Sequence, residues 1–202
     1  MKRMVFVVAV SALAGACASN VSNSLLDDYE EVDATSILDA PAAQPGTYAP
    51  QNRALVERGE YLVELLGCGS CHTDGALVGD PDFDKALAGS SIGIAYTNPL
   101  GEKNPGIIYP PNITSDDETG IGAWTDRQIA NAIRAGISRH GSRRLASMPW
   151  RGYAKLSEDD VNAIVSYLRG IKAVDHRVPD EVVPGDRASH PFVYFGVYRS
   201  KQ

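Results

Sequence analysis

The chain reads as an all-α protein, one domain with a tail at either end, on three observations. Three segments repeat apolar residues at helical spacing behind capping residues. No segment competes with a strand-like alternation. One short run, Cys68-Gly69-Ser70-Cys71-His72, places its reactive side chains on a single helical turn, because positions three and four apart are neighbours on a helix.

The first helix opens at Asn52 as N-cap, with Leu55, Gly59, Leu62, Val63 and Leu66 at helical spacing and Gly67 as the stop. Thr125-Asp126-Arg127-Gln128 is a capping box, and Ile129, Ile133 and Ile137 form the stripe behind it. The third helix starts at Ser157, with Asp160 at N3 and Leu156 and Val161 placed as a hydrophobic staple. Val161, Ile164, Val165 and Leu168 supply its apolar face, and Gly170 ends it. Between the first and second helices, residues 74–124 are rich in Gly and Pro and lack periodicity. A loop of that length in a compact domain is functional or is wrapped around something.

Cys-x-x-Cys-His is the attachment signature of a c-type haem. Cys68 and Cys71 would form thioethers with the two vinyl groups, and His72 would be an axial ligand to the iron. A thioredoxin-like site needs a βαβ setting, which is not visible, and a zinc site needs four ligands, of which the rest of the chain offers few. One motif implies one covalently bound haem c, and no internal repeat supplies a second.

Met1-Lys2-Arg3-Met4 followed by the apolar run Val5–Ala14 has the form of a secretory leader, too short for a finished transmembrane helix. Leu13-Ala14-Gly15-Ala16-Cys17 resembles a bacterial lipoprotein cleavage site, with Ala14 where Leu is usual. The expectation is a signal over residues 1–16 and a lipid on Cys17; ordinary cleavage near Ala16-Cys17 or Ala18 is the alternative. Of three cysteines, Cys17 is the one left over by the haem motif, and lipidation gives it a purpose. Residues 17–51 then read as a flexible tether with six acidic residues and no basic ones. The net charge of -6 becomes -8 without the basic leader, with -6 in the tether and about -2 in residues 52–202. Overall acidity is therefore mostly a solvated linker, and nothing in the pattern points to nucleic acid. The expected location is the periplasmic side of a bacterial membrane, held by lipid.

Haem iron needs its second axial position filled or left open. Met1 and Met4 belong to the leader, so Met148, in Ser147-Met148-Pro149-Trp150, is the one mature methionine and the candidate ligand. His140, His176 and His190 are the competing ligands, and a plain core role for Met148 is the bland alternative.

Arg58-Gly59-Glu60-Tyr61-Leu62, Cys68–His72, Tyr109-Pro110-Pro111-Asn112-Ile113-Thr114, Thr119–Trp124, Met148-Pro149-Trp150 and Leu156–Asp160 together resemble a class I cytochrome c. This combination resembles the haem modules of cytochrome c subunits of membrane-bound alcohol, gluconate and aldehyde dehydrogenases. The resemblance covers about residues 52–172; those subunits usually carry three haems and this chain carries one motif. It implies three main helices with long haem-wrapping loops over residues 52–175 and a C-terminal extension over 176–202. It also implies that Trp124 donates to a haem propionate and that Asn112 and Thr114 line the propionate side. By the same resemblance Gly59 meets Tyr167 at a helix crossing, and a carbonyl in the 99–111 segment, Pro105 for instance, orients His72.

A haem closed on both faces passes single electrons and has no site for oxygen or peroxide. The expected function is a one-electron carrier or a non-catalytic electron-transfer subunit of a redox complex, with redox proteins as donor and acceptor. A haem enzyme or gas sensor with an open position is the alternative. Arg139, His140, Arg143, Arg144 and Arg151 crowd around Met148, either as a solvated loop or as a positive rim that steers an acidic partner. In the tail, Phe192–Tyr198 follows a Pro-rich stretch and is expected to pack back onto the domain, with docking to a membrane subunit as the alternative.

Overall fold

The computed structural model describes residues 29–30, 32, 40–46, 52–141, 147–196 and 200. The leader, Cys17, most of the acidic tether, Arg143 and Arg144 lie outside the described residues. The chain divides into two compact units, Met1–Glu30 and Glu31–Gln202. In the first, Tyr29 and Glu30 are exposed. Everything below concerns the second.

Helix α1 (Arg53–Leu65) and helix α5 (Glu158–Gly170) form the centre of the molecule. Val56, Gly59, Leu62 and Val63 are buried on α1, whereas Leu55 is 38% exposed, so the buried face starts one residue later than the sequence predicts. The crossing with α5 sets that register. A Cβ at Gly59 would lie 2.0 Å from the Ala163 carbonyl oxygen and 2.7 Å from Tyr167 Cβ, so only glycine permits this approach. Asn52 is the N-cap of α1 but makes no side-chain cap bond. Ser157 Oγ accepts from the Asp160 N–H at 3.1 Å, and Glu158, Asp159 and Asp160 place negative charge on the first turn of α5, where the helix dipole favours it.

Helix α2 is the single turn Cys68–His72, α3 is Asp126–Ala135, and α4 is the short Trp150–Tyr153. Both halves of the Thr125–Gln128 capping box are present. Gly136 ends α3 at φ 62°, so Ile137 falls beyond the helix rather than on its stripe. The three long helices bury one continuous core, to which Leu87, Ile121 and Ile171 also belong.

The molecule is not purely α-helical. Strands β1 (Gly93–Ala95), β2 (Ile107–Ile108) and β3 (Phe192–Val193) form a sheet in the order β2-β1-β3. β1 and β2 are antiparallel, with Ile94 opposite Ile108; β1 and β3 are parallel, with Gly93 opposite Phe192. Strands of two or three residues cannot display the alternation that marks a strand in sequence. Val182 adds a bridge to Ile107, whose N–H and carbonyl bond to it at 2.8 and 2.9 Å. The C-terminal extension thus packs back onto the domain: Val178, Val182, Ala188, Phe192 and Tyr194 pack around Ala95, Ile107 and Tyr109.

Residues 40–46, tether by composition, lie against the far end of α5. Pro45 bridges Ile171, and the Lys172 N–H donates to the Gln44 carbonyl at 2.9 Å. Ala43 packs on the core, and a Cβ at Gly69 would lie 2.8 Å from Ala40 Cβ. Among the described residues no helix is long and apolar enough to cross a membrane.

Candidate functional site

Gly67, at φ 67°, turns the chain sharply from α1 into α2, and this brings Cys68, Cys71 and His72 onto one apolar cavity. The cavity holds about 1280 Å³ of atom-free space, its open mouth included. Ile129, Ala132 and Ile133 of α3 and Ile164 and Leu168 of α5 line it with hydrocarbon. Ile94 and Ile108 of the small sheet add to it, which ties the unforeseen strands to the site.

Neither Cys68 nor Cys71 is in a disulfide. Burial, with the Cys71 charge adding to it, pushes the Cys68 thiol up to about 11, and burial raises Cys71 as well. A thiol-redox site needs the opposite, a lowered pKa that makes thiolate at neutral pH. No group of three or more His, Cys, Asp and Glu suited to a metal ion occurs among the described residues.

His72 Nδ1 lies 2.7 Å from the Pro111 carbonyl oxygen. A carbonyl only accepts, so Nδ1 carries the proton and the Nε2 lone pair is the one suited to a metal. The orienting carbonyl is that of Pro111, not Pro105. The neighbouring Pro110 carbonyl is already taken by the Ser90 N–H at 3.0 Å. Around His72, its own carbonyl accepts from the Gly89 N–H at 2.7 Å, and the buried Thr73 hydroxyl accepts from the Leu87 N–H at 3.1 Å.

Asn112 and Thr114 are 2% and 0% exposed and form a knot. Asn112 Oδ1 accepts from the Thr114 N–H and hydroxyl at 2.9 and 2.8 Å. Asn112 Nδ2 donates to Thr119 Oγ1 and to the Val174 carbonyl at 3.0 and 2.7 Å. Their polar atoms are engaged within the protein; Asn112 borders the cavity, and Thr114 stands behind it. Trp124 is half-buried and lines the cavity.

Met148 is half-buried and lines the same cavity as His72. Its carbonyl accepts from the Trp150 N–H at 2.8 Å, and the Pro149 carbonyl accepts from the Gly152 N–H at 2.9 Å, so the segment forms a tight corner. None of the three competing histidines lines the cavity. His140 is exposed, His176 Nδ1 lies 2.9 Å from the Ala88 carbonyl, and His190 Nδ1 lies 3.0 Å from the Ser189 hydroxyl.

Two contributors escaped the sequence reading. Arg169 donates to the carbonyls of Ile121, Gly122 and Trp124 and to Asp126, which pins the turn that carries Trp124 onto α5. Tyr153 lines the cavity and donates to the Leu66 carbonyl at 3.1 Å.

Two half-buried cysteines and an oriented imidazole on one turn, facing an apolar cavity that a thioether also lines, have the form of a covalent haem c site. The chain belongs to the cytochrome c family, whose pattern matches residues 56–172. It is 37% identical over 133 residues to the cytochrome c subunit of a quinone alcohol dehydrogenase from Gluconobacter oxydans, covering 64% of this chain and 24% of that protein. It is 35% identical over 145 residues to the fructose dehydrogenase cytochrome subunit of Gluconobacter japonicus, covering 70% of this chain and 27% of that protein. A gluconate 2-dehydrogenase cytochrome c subunit from Pantoea cypripedii is 34% identical over 134 residues, covering 66% of this chain and 27% of that protein. The chain spans about a quarter of the length of these curated relatives.

Proposed function

We propose that this chain is a monohaem cytochrome c on the periplasmic side of a bacterial membrane, passing single electrons as a carrier or as a subunit of a dehydrogenase or other redox complex. The observation that carries the reading is the shared cavity: Cys68, Cys71, His72 and Met148 all line it, and no other histidine among the described residues does. The residues fit the cofactor. Cys68 and Cys71 would hold haem by thioethers, with His72 and Met148 as the axial pair. Bound there, haem supplies a one-electron couple. The protein's part is to shut water out with α3, α5 and the small sheet, and to hold the His72 proton on Nδ1 through Pro111. Thioether ligation favours the ferrous state and hence a positive potential.

One haem in this chain is supported by the one Cys-x-x-Cys-His run that the sequence contains. A dehydrogenase as partner is supported by the relatives' names, which are cytochrome subunits of alcohol, fructose and gluconate dehydrogenases. Anchoring through lipid on Cys17 rests on the leader and on the unpaired third cysteine. Carbon monoxide added to the reduced protein at neutral pH tests the central claim. A closed site binds it weakly, while tight binding supports a haem enzyme or gas sensor instead. The membrane claim has its own test: Cys17→Ser should move the protein from the membrane fraction to the soluble one.

A further inference from the structure

We propose that Tyr153 is a positioning residue for the sixth ligand of the iron: its hydroxyl latches the Met148 corner to the turn that carries the attachment cysteines. The inference rests on the reading of Met148 as that ligand.

Met148 is followed by α4, a helix of four residues. So short a helix has no stability of its own, and its position is set by what its ends are tied to. One tie is Trp150, packed against Gly136 at the end of α3. A Cβ on Gly136 would lie 2.7 Å from Trp150 Cδ1. The other is Tyr153, whose hydroxyl donates to the Leu66 carbonyl at 3.1 Å across 87 residues. Leu66 caps α1, where the last carbonyls of a helix lack partners within it. Two residues further on stands Cys68. The bond therefore joins the Met148–Tyr153 segment to the segment whose cysteines would hold the porphyrin. Within α4 the Tyr153 N–H returns to the Pro149 carbonyl at 3.3 Å, so displacement of the ring is carried back to the residue beside Met148. Burial raises the pKa of the Tyr153 hydroxyl, which keeps it protonated and a donor at neutral pH.

The latch opposes any outward swing of Met148, so its loss should make the sixth position easier to take. The test is imidazole titration of the ferric, haem-loaded full chain, followed by the change in visible absorption. Tyr153→Phe keeps the ring and removes the bond; it should bind imidazole on the order of fivefold more tightly than the parent, the worth of one hydrogen bond. Met148→Ala should bind much more tightly still. Val56→Ala, a destabilising change in the core of α1 outside the cavity, should bind as the parent does. If Tyr153→Phe equals the parent while Met148→Ala does not, the latch is wrong and the ligand assignment stands. If Met148→Ala equals the parent, both fall. An equal shift in Val56→Ala and Tyr153→Phe would reduce the effect to general stability and overturn the proposal.

Discussion

At Gly59 a single hydrogen atom determines how closely α1 and α5 approach. The atoms that a Cβ would meet are the Ala163 carbonyl and Tyr167 Cβ, both on helix backbone or stem and unable to swing aside. Gly59→Ala should therefore destabilise the fold by about 1–3 kcal/mol, read as a lower midpoint in chemical denaturation of the haem-loaded protein. Asp74 offers a pH prediction. Burial raises its pKa, but hydrogen bonds from Ser91 and Lys85 outweigh that, and the net shift is downward. A carboxyl depressed in the folded state adds stability above its ordinary value near 3.8, and that stability is lost as pH falls through the folded value. Asp74→Asn should lower stability at pH 6 and flatten its decline toward pH 3, measured as denaturation midpoint against pH. Cys68, Cys71, His72 and Met148 could be singled out in the sequence because their chemistry is carried by residue type and spacing, and all four line one cavity. Tyr153 and Arg169 could not be, because most of their partners are main-chain carbonyls at least 45 residues away, and any residue type supplies a carbonyl.

Among the elements, the helices were readable where caps and apolar period agree. The Thr125–Gln128 box and the Ser157 cap are both formed as their side chains require. The errors have two sources: Leu55 is turned outward by the tertiary crossing at Gly59, and Ile137 is cut from α3 by the left-handed stop at Gly136 beside it. The sheet was invisible because its pairing is non-local: β3 joins β1 across about a hundred residues. Gly93 permits the close approach of β1 to β2 by leaving room for Ile107, since a Cβ there would lie 2.4 Å from Ile107 Cγ2. Because Ile94 and Ile108 line the cavity, the extension supports the haem wall from behind. Truncation after Asp175 should cost roughly 3 kcal/mol of apolar burial, or about 10 °C in Tm. Thermal unfolding of the truncated, haem-loaded chain checks this. An unchanged Tm, with loss only of binding to a partner complex, would instead assign the extension to docking.

On the scale of the whole molecule, charge is distributed unevenly along the chain. Residues 136–156 hold Arg139, Arg143, Arg144, Arg151 and Lys155 with no acidic residue, although the domain from 52 onward is slightly negative overall. Arg139 and Arg151 are exposed, and Arg151 lies 5.5 Å from the centre of the Trp150 ring, two residues from Met148. A run of cationic residues flanking Met148 in the sequence, within an otherwise slightly negative domain, would favour one orientation of approach for an acidic partner. Such steering acts on the encounter rate, and salt removes it: the Debye length is about 30 Å at 0.01 M and about 8 Å at 0.15 M ionic strength. The bimolecular rate of electron transfer with an acidic redox partner should therefore fall steeply across that range, as seen by stopped-flow absorption. Arg151→Glu should slow transfer several-fold at low ionic strength and approach the parent rate at high ionic strength, with the intrinsic potential little changed. A rate indifferent to salt in both proteins would mean that the arginines are only a solvated loop, and that apolar contact at the cavity mouth selects the partner.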